Sequence, residues 1–207
     1  MQRPNRIPLF PLDVVLLPGA DLPLHIFEPR YKTMIARCLE ENLEFGMILA
    51  AGQALATVGC TAEIVQKVRD YPDGRTDILT KGRAVFHLLE LLDEREYYEG
   101  AVEYVSDAAE PADPEQEAQL RKTFENCHAQ LFGMPWTDAA GEESGTLAYR
   151  MASLLPIELE KRQALLEMRS QPARCEFVLR WMEGFLPKFA AQQRAHKLAG
   201  GNGHTLN

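Results

Sequence analysis

The chain has 207 residues, 46% of them hydrophobic and 25% charged, with a formal net charge of −8. This composition excludes an intrinsically disordered chain, which pairs few apolar residues with a high charge. No apolar run approaches the roughly 20 residues of a membrane-spanning helix. The length suits one large domain or two small ones, with a core that needs no disulfide or metal to hold it.

Charge is unevenly placed. Residues 1–110 carry 18 acidic and 11 basic side chains, and residues 111–207 carry 12 and 11. An acidic first half repels phosphate backbones, so nucleic acid is not an expected partner. The N-terminal stretch MQRPNRIPLFPLD lacks the apolar run of a signal peptide, which makes the cytoplasm the expected location. Cys38, Cys60, Cys127 and Cys175 form no CxxC pair and read as buried free thiols.

In chain order, the first half reads as strands. Ile7-Pro8-Leu9-Phe10, Val14-Val15-Leu16-Leu17 and Leu22-Pro23-Leu24-His25-Ile26 are short apolar runs between prolines. An amphipathic helix follows Pro29, with Tyr31, Met34, Ile35, Cys38 and Leu39 on one stripe and Glu28 near its positive end. From Phe45 the segments FGMILA, VGCTAEIVQKV, TDILTKG, RAVFHLLELL and YEGAVEYV are rich in β-branched residues. Tyr71-Pro72-Asp73-Gly74-Arg75 is a turn, and Lys81-Gly82-Arg83 is a second turn or a bulge. Strands this closely spaced predict a curled sheet or pseudo-barrel.

The acidic, proline-containing segment DAAEPADPEQ marks a boundary near residues 107–113. Helical spacing follows at Leu120, Phe124, Cys127 and Leu131, and TDAAGEESG reads as a loop. Leu147, Met151, Leu154 and Leu155 make a helix stopped at Pro156, and a short helix is expected over residues 158–168. Ser170 and Pro172 start a last helix, whose stripe of Val178, Trp181, Met182, Phe185, Leu186 and Phe189 is the widest in the chain. Pro187 is expected to kink or end it. The prediction is an α+β protein: a β-rich part over residues 1–110 with one inserted helix, a helical bundle over 111–197, and a flexible tail over 198–207.

Chemistry is sparse. None of Ser106, Ser144, Ser153 and Ser170 lies in GxSxG, and the adjacency of Cys127 and His128 does not amount to a catalytic pair. The five histidines, His25, His87, His128, His196 and His204, show no metal-ligand spacing, and His25 reads as a satisfied histidine on an apolar strand. No phosphate-binding glycine loop is present. The residues therefore give no catalytic, metal or cofactor site, and a hydrolase through an unrecognised site stays as one alternative.

Phe10-Pro11-Leu12, Leu17-Pro18-Gly19, Pro23-Leu24 and Ile26-Phe27-Glu28-Pro29-Arg30-Tyr31 follow one another in an order that resembles the opening of the Lon protease N-terminal, or substrate-binding, domain. Phe45-Gly46, Val58-Gly59, Ala62-Glu63-Ile64, the turns Asp73-Gly74-Arg75 and Lys81-Gly82-Arg83, Leu154-Leu155-Pro156, Lys161-Arg162-Gln163, Leu165-Leu166-Glu167 and Arg174 extend the likeness over about residues 7–185. Motifs of the Lon ATPase and peptidase modules are not in the sequence, so it looks like a freestanding domain of this type. The resemblance implies a curled β part followed by helices. It also implies a non-catalytic, ATP-independent, proteolysis-related role in binding polypeptide, with unfolded or apolar segments as the expected ligands. An adaptor for one folded partner is the other alternative, and a weak homo-oligomer is left open. Membrane-surface binding is not expected, because the tail has no basic cluster.

Glu28, Arg30 and Tyr31 read as the lock of a strand-to-helix corner, with Phe27 packed beneath the helix. The candidate peptide lining is Leu16, Leu17, Ile26 and Phe27, apolar residues beside proline and glycine punctuation. Two modes are open: an extra strand at a free sheet edge, or an apolar segment held between the β part and the bundle.

Overall fold

The computed structural model describes residues 3–52, 54–108, 110, 113–137 and 147–200, with the side chains of 196–200 excepted. Most of the expected loop TDAAGEESG and residues 201–207 of the expected tail lie outside them. The elements are β1 (Arg6–Leu12), β2 (Asp21–Ile26), α1 (Pro29–Glu41), β3 (Phe45–Ala51), β4 (Ala54–Asp70), β5 (Thr76–Leu92), β6 (Glu99–Tyr104), α2 (Pro114–Phe132), α3 (Leu147–Ser153), α4 (Leu159–Glu167) and α5 (Gln171–Gly200).

The six strands lie in the order β2-β5-β4-β3-β1-β6, and β6 pairs back onto β5. Five strands therefore close a ring, while β2 extends the first half of β5 into an arm. The ring encloses Ile7, Leu9, Ile48, Phe86 and Val102. Room for the Phe86 ring comes from Gly59, where a Cβ would sit 2.4 Å from Phe86 Cζ.

Two expected strands, TDILTKG and RAVFHLLELL, are one 17-residue strand. Gly82 makes no turn. It lies where the β4–β5 register shifts between Cys60 and Ala62, which is the bulge reading. Val14-Val15-Leu16-Leu17 departs from expectation, because it is irregular and not a strand. Its chain docks on β5 instead: Gly19 N–H donates to Gly82 O (2.8 Å) and Gly82 N–H to Ala20 O (2.9 Å). A Cβ at Gly82 would lie 2.2 Å from the Leu17 carbonyl oxygen, so only glycine permits that approach. The Tyr71–Arg75 turn forms as expected, with Gly74 at φ 78° and its N–H donating to Tyr71 O at 2.9 Å.

The helices follow their signals. Pro29 opens α1, and Tyr31, Met34, Ile35 and Cys38 are buried, while Leu39 is exposed. Asp113 caps α2 by accepting from Glu115 N–H and Gln116 N–H. Ser170 Oγ accepts from Ala173 N–H at the start of α5. The expected stop at Pro187 does not occur, since α5 continues through it to Gly200, so residues 198–200 are helical rather than tail.

A single hydrophobic cluster runs from Phe10, Tyr31 and Phe45 to Phe124, Met151, Leu165 and Val178, joining sheet and helices. Two charged clamps sit beside it. In the sheet half, the nearly buried Glu99 carboxylate accepts from Arg6 (2.6 and 2.9 Å) and Arg37 (2.7 Å), with Arg95 at 3.2 Å. Burial raises its pKa, but the guanidinium hydrogen bonds outweigh this and hold it below the usual glutamate value. In the helical half, the fully buried Arg174 grips Asp107 with both terminal nitrogens, donates to Met168 O (3.0 Å) and lies over the Tyr149 ring. Because Asp107 belongs to the connector after β6, this clamp ties the bundle to the sheet.

Candidate functional site

Two half-buried helices leave an apolar groove on the bundle. Its long wall is α5 from Ala173 to Lys188, its short wall runs from Pro156 to Lys161 at the start of α4, and its volume is about 590 Å³. The floor is a row at i, i+4 spacing: Phe177, Trp181 and Phe185, continued by Phe189. The Trp181 and Phe185 rings stack at 4.6 Å, and those of Phe185 and Phe189 at 5.5 Å. This row is the surplus of the wide stripe read in the sequence. Val178 and Met182 turn to the core, and the aromatics on the adjoining face remain half-buried.

Polar groups orient the groove. Trp181 Nε1–H donates to Glu158 Oε2 (3.1 Å) and Lys161 to Glu158 Oε1 (3.0 Å). The Glu158 pKa is lowered to about 2 by its own backbone N–H, the indole N–H and Lys161. The rim row on α5 is Glu176, Arg180, Gly184 and Lys188. Arg180 pairs with Glu176, whereas Lys188 has no ion-pair partner among the described residues. A Cβ at Gly184 would meet nothing within 4 Å.

The sequence-derived lining is placed differently. Leu16, Leu17 and Ile26 are core residues, 4%, 1% and 1% exposed: the Gly19–Gly82 docking turns the first two inward, and Ile26, opposite Thr76 at the end of β2, joins the main hydrophobic cluster. Phe27 is 58% exposed, not packed beneath α1. It stacks on His25, which also meets the Tyr71 ring edge-on. His25 is satisfied, yet it faces solvent: its Nδ1 lies 2.5 Å from Asp77 Oδ1, and Tyr71 Oη donates to Asp77 Oδ2 (2.8 Å). Those two bonds, His25 first, depress the Asp77 pKa. At the strand-to-helix corner Arg30 Nε donates to Glu28 Oε2 (3.0 Å), and the guanidinium lies over the Tyr31 ring. Asp73 and Arg75 pair across the turn, and Arg83 pairs with Glu63. Lys81 stands opposite Asp21 and Glu63 in the sheet register.

Among the described residues, neither the Cys127 thiol nor the Ser153 hydroxyl faces a base. Burial pushes the Cys127 thiol up to about 11, while His128 Nδ1 turns to Met134 O at 3.1 Å. Ser153 Oγ donates to Arg150 O within its own helix turn. All four cysteines are free and buried. Among the described residues, no group of His, Cys, Asp or Glu is arranged to hold a metal ion, and no helix is long and apolar enough to cross a membrane.

The ring of strands, its arm and the helices behind it define a Lon-type N-terminal domain. The family described as the ATP-dependent protease La (LON) substrate-binding domain matches residues 6–184, and the chain belongs to that family. A Lon N-terminal domain protein from Xanthomonas campestris superposes with a TM-score of 0.68 at 27% identity, over 86% of this chain and 98% of that one. The N-terminal domain of the Mycobacterium avium complex Lon protease has the same fold, with a TM-score of 0.65 at 15% identity, again over 86% and 98%. Lon protease of Escherichia coli strain K12 is 28% identical over 91% of this chain. That match takes in only 26% of the E. coli protein, so the chain spans about a quarter of its relative's length. The similarity is to the substrate-binding domain and not to the ATPase or peptidase modules.

Proposed function

We propose that this chain is a non-catalytic polypeptide-binding protein that takes apolar or unfolded segments in the groove between α4 and α5. The observation that carries this reading is the row Phe177, Trp181 and Phe185, flat aromatic surface left half-exposed beside a polar rim. Aromatic floors of this kind supply most of the energy in protein recognition. Four free thiols kept inside suit the reducing cytoplasm that we propose as the setting.

Titration of a fluorescein-labelled, carboxymethylated (permanently unfolded) protein by anisotropy tests the reading. Trp181→Ala or Phe185→Ala should weaken binding by roughly thirtyfold, the loss of about 2 kcal/mol typical of a central aromatic. No binding at roughly 100 μM would remove the proposal. The exposed Phe27, stacked on His25 at the arm, supports a second reading in which the corner is the contact. It predicts the opposite pattern, with Phe27→Ala losing binding and Trp181→Ala retaining it.

A further inference from the structure

We infer that the segment held in this groove is an amphipathic α-helix of a partner protein, laid along α5 against Gly184 with a carboxylate facing Lys188. The inference rests on the proposed polypeptide-binding role and specifies the conformation and chemistry of the ligand.

Hydrogen bonding argues for a helix. The long wall is α5, whose backbone groups are bonded within the helix, apart from the Glu183 carbonyl that Pro187 leaves without a helical donor. An extended segment lying there would bury its own N–H and C=O groups without a ladder to pair them, at a cost for each group. A helix brings its backbone bonds with it and presents only side chains. The groove runs from Ala173 to Lys188, about 22 Å at 1.5 Å per residue, which is the length of a four-turn helix.

The sheet edges make a poor alternative. β2 pairs only with β5, and its outer edge carries Pro23, which has no N–H to offer. Residues 65–70 of β4 pair only with β5, and that stretch has register shifts between Ile64 and Gln66 and between Lys67 and Arg69. Val65 and Val68 are the extra residues, so no regular row of donors and acceptors is on offer.

Gly184 gives the second, independent argument. Glycine inside a helix is unfavourable relative to alanine, and here no side chain of the protein itself requires it. A glycine on the rim exposes backbone to whatever lies in the groove and lets a second helix come close. Lys188, the rim cation without an ion-pair partner among the described residues, sits at one end of the groove and sets the charge of the occupant there.

The test uses two labelled synthetic peptides of about 15 residues, matched in net charge. One is stapled as a helix, with leucines at i, i+3, i+4 and i+7 and a glutamate at one end. The other alternates leucine with polar residues around a central proline. The stapled peptide should bind at least tenfold tighter. Gly184→Ala should weaken it about tenfold while raising the melting temperature of the free protein, a pair of effects that a purely structural glycine would not produce. Lys188→Glu should weaken it too, and a peptide with lysine in place of its glutamate should recover the loss. Equal or tighter binding of the alternating peptide would overturn the helical inference and leave the polypeptide-binding reading standing. Binding of neither peptide, with the carboxymethylated protein still bound, would overturn the helical inference alone, and binding of none of the three would overturn both. A dimer seen by sedimentation that Gly184→Ala dissociates, and that the stapled peptide does not, would make a second copy the occupant and overturn the choice of partner.

Discussion

The two halves of the molecule handle buried charge in opposite ways. In the sheet half one acid, Glu99, is shared by three arginines whose side chains remain 28–50% exposed. In the helical half one base, Arg174, is fully buried and grips the carboxylate of Asp107. If the acid is removed from the first clamp, the guanidinium groups can turn to water. Removing Asp107 from the second takes the paired carboxylate away from a cation that is itself buried, so the helical clamp should be the more fragile of the two.

Asp107→Ala should therefore have the largest effect, lowering stability by about 3–5 kcal/mol in denaturant titrations. Much of that loss should return in the double variant Asp107→Leu with Arg174→Met, which removes both charges. Glu99→Gln should cost about 1.5–3 kcal/mol, the range for charge-assisted hydrogen bonds. A larger loss at Glu99 than at Asp107 would reverse the comparison.

Glu99 also gives the clamp a pH signature. Its pKa in the folded protein lies below the 4.5 of an unperturbed glutamate. Its contribution is thus fully present above pH 4.5 and fades as the pH falls through the folded-state value. Thermal melts of the wild type should fall more steeply below that point than those of Glu99→Gln. Gly184→Ala comes next, with a gain of about 0.5–1 kcal/mol from helix propensity alone. The smallest effect should be on the thiols. Burial lifts Cys38 to about 12 and Cys127 and Cys175 to about 11, and it also raises Cys60. Titration with a disulfide reagent at pH 8 should show essentially no labelling until denaturant is added.

The sequence makes the fold more legible than the site. Local chemistry announces the Pro29 helix start, the Gly74 turn and the Asp113-Pro114 cap. The pairing of β6 with β1, where Arg6 stands opposite Ala101, and the docking of Gly19 and Ala20 on Gly82 join residues far apart in the chain, which periodicity does not report. That is why Leu16, Leu17 and Ile26 read as a rim and turn out to be core. The groove did leave a trace, an aromatic stripe broader than one core-facing side requires, with a glycine inside it at position 184. Reading its width as surplus, and not as depth of burial, would have pointed to Trp181 and Phe185. Pro187 misled, because a helix tolerates a lost rung where the carbonyl it abandons, that of Glu183, belongs to a solvent-facing residue.

The two extra valines of β4 have a consequence for life at high concentration. A straight, unbulged run from Ile64 to Arg69 would combine β-branched residues with a vacant edge, the recipe for end-on growth of fibrils. By kinking that edge twice, Val65 and Val68 spoil the template, at the price of two greasy side chains in water.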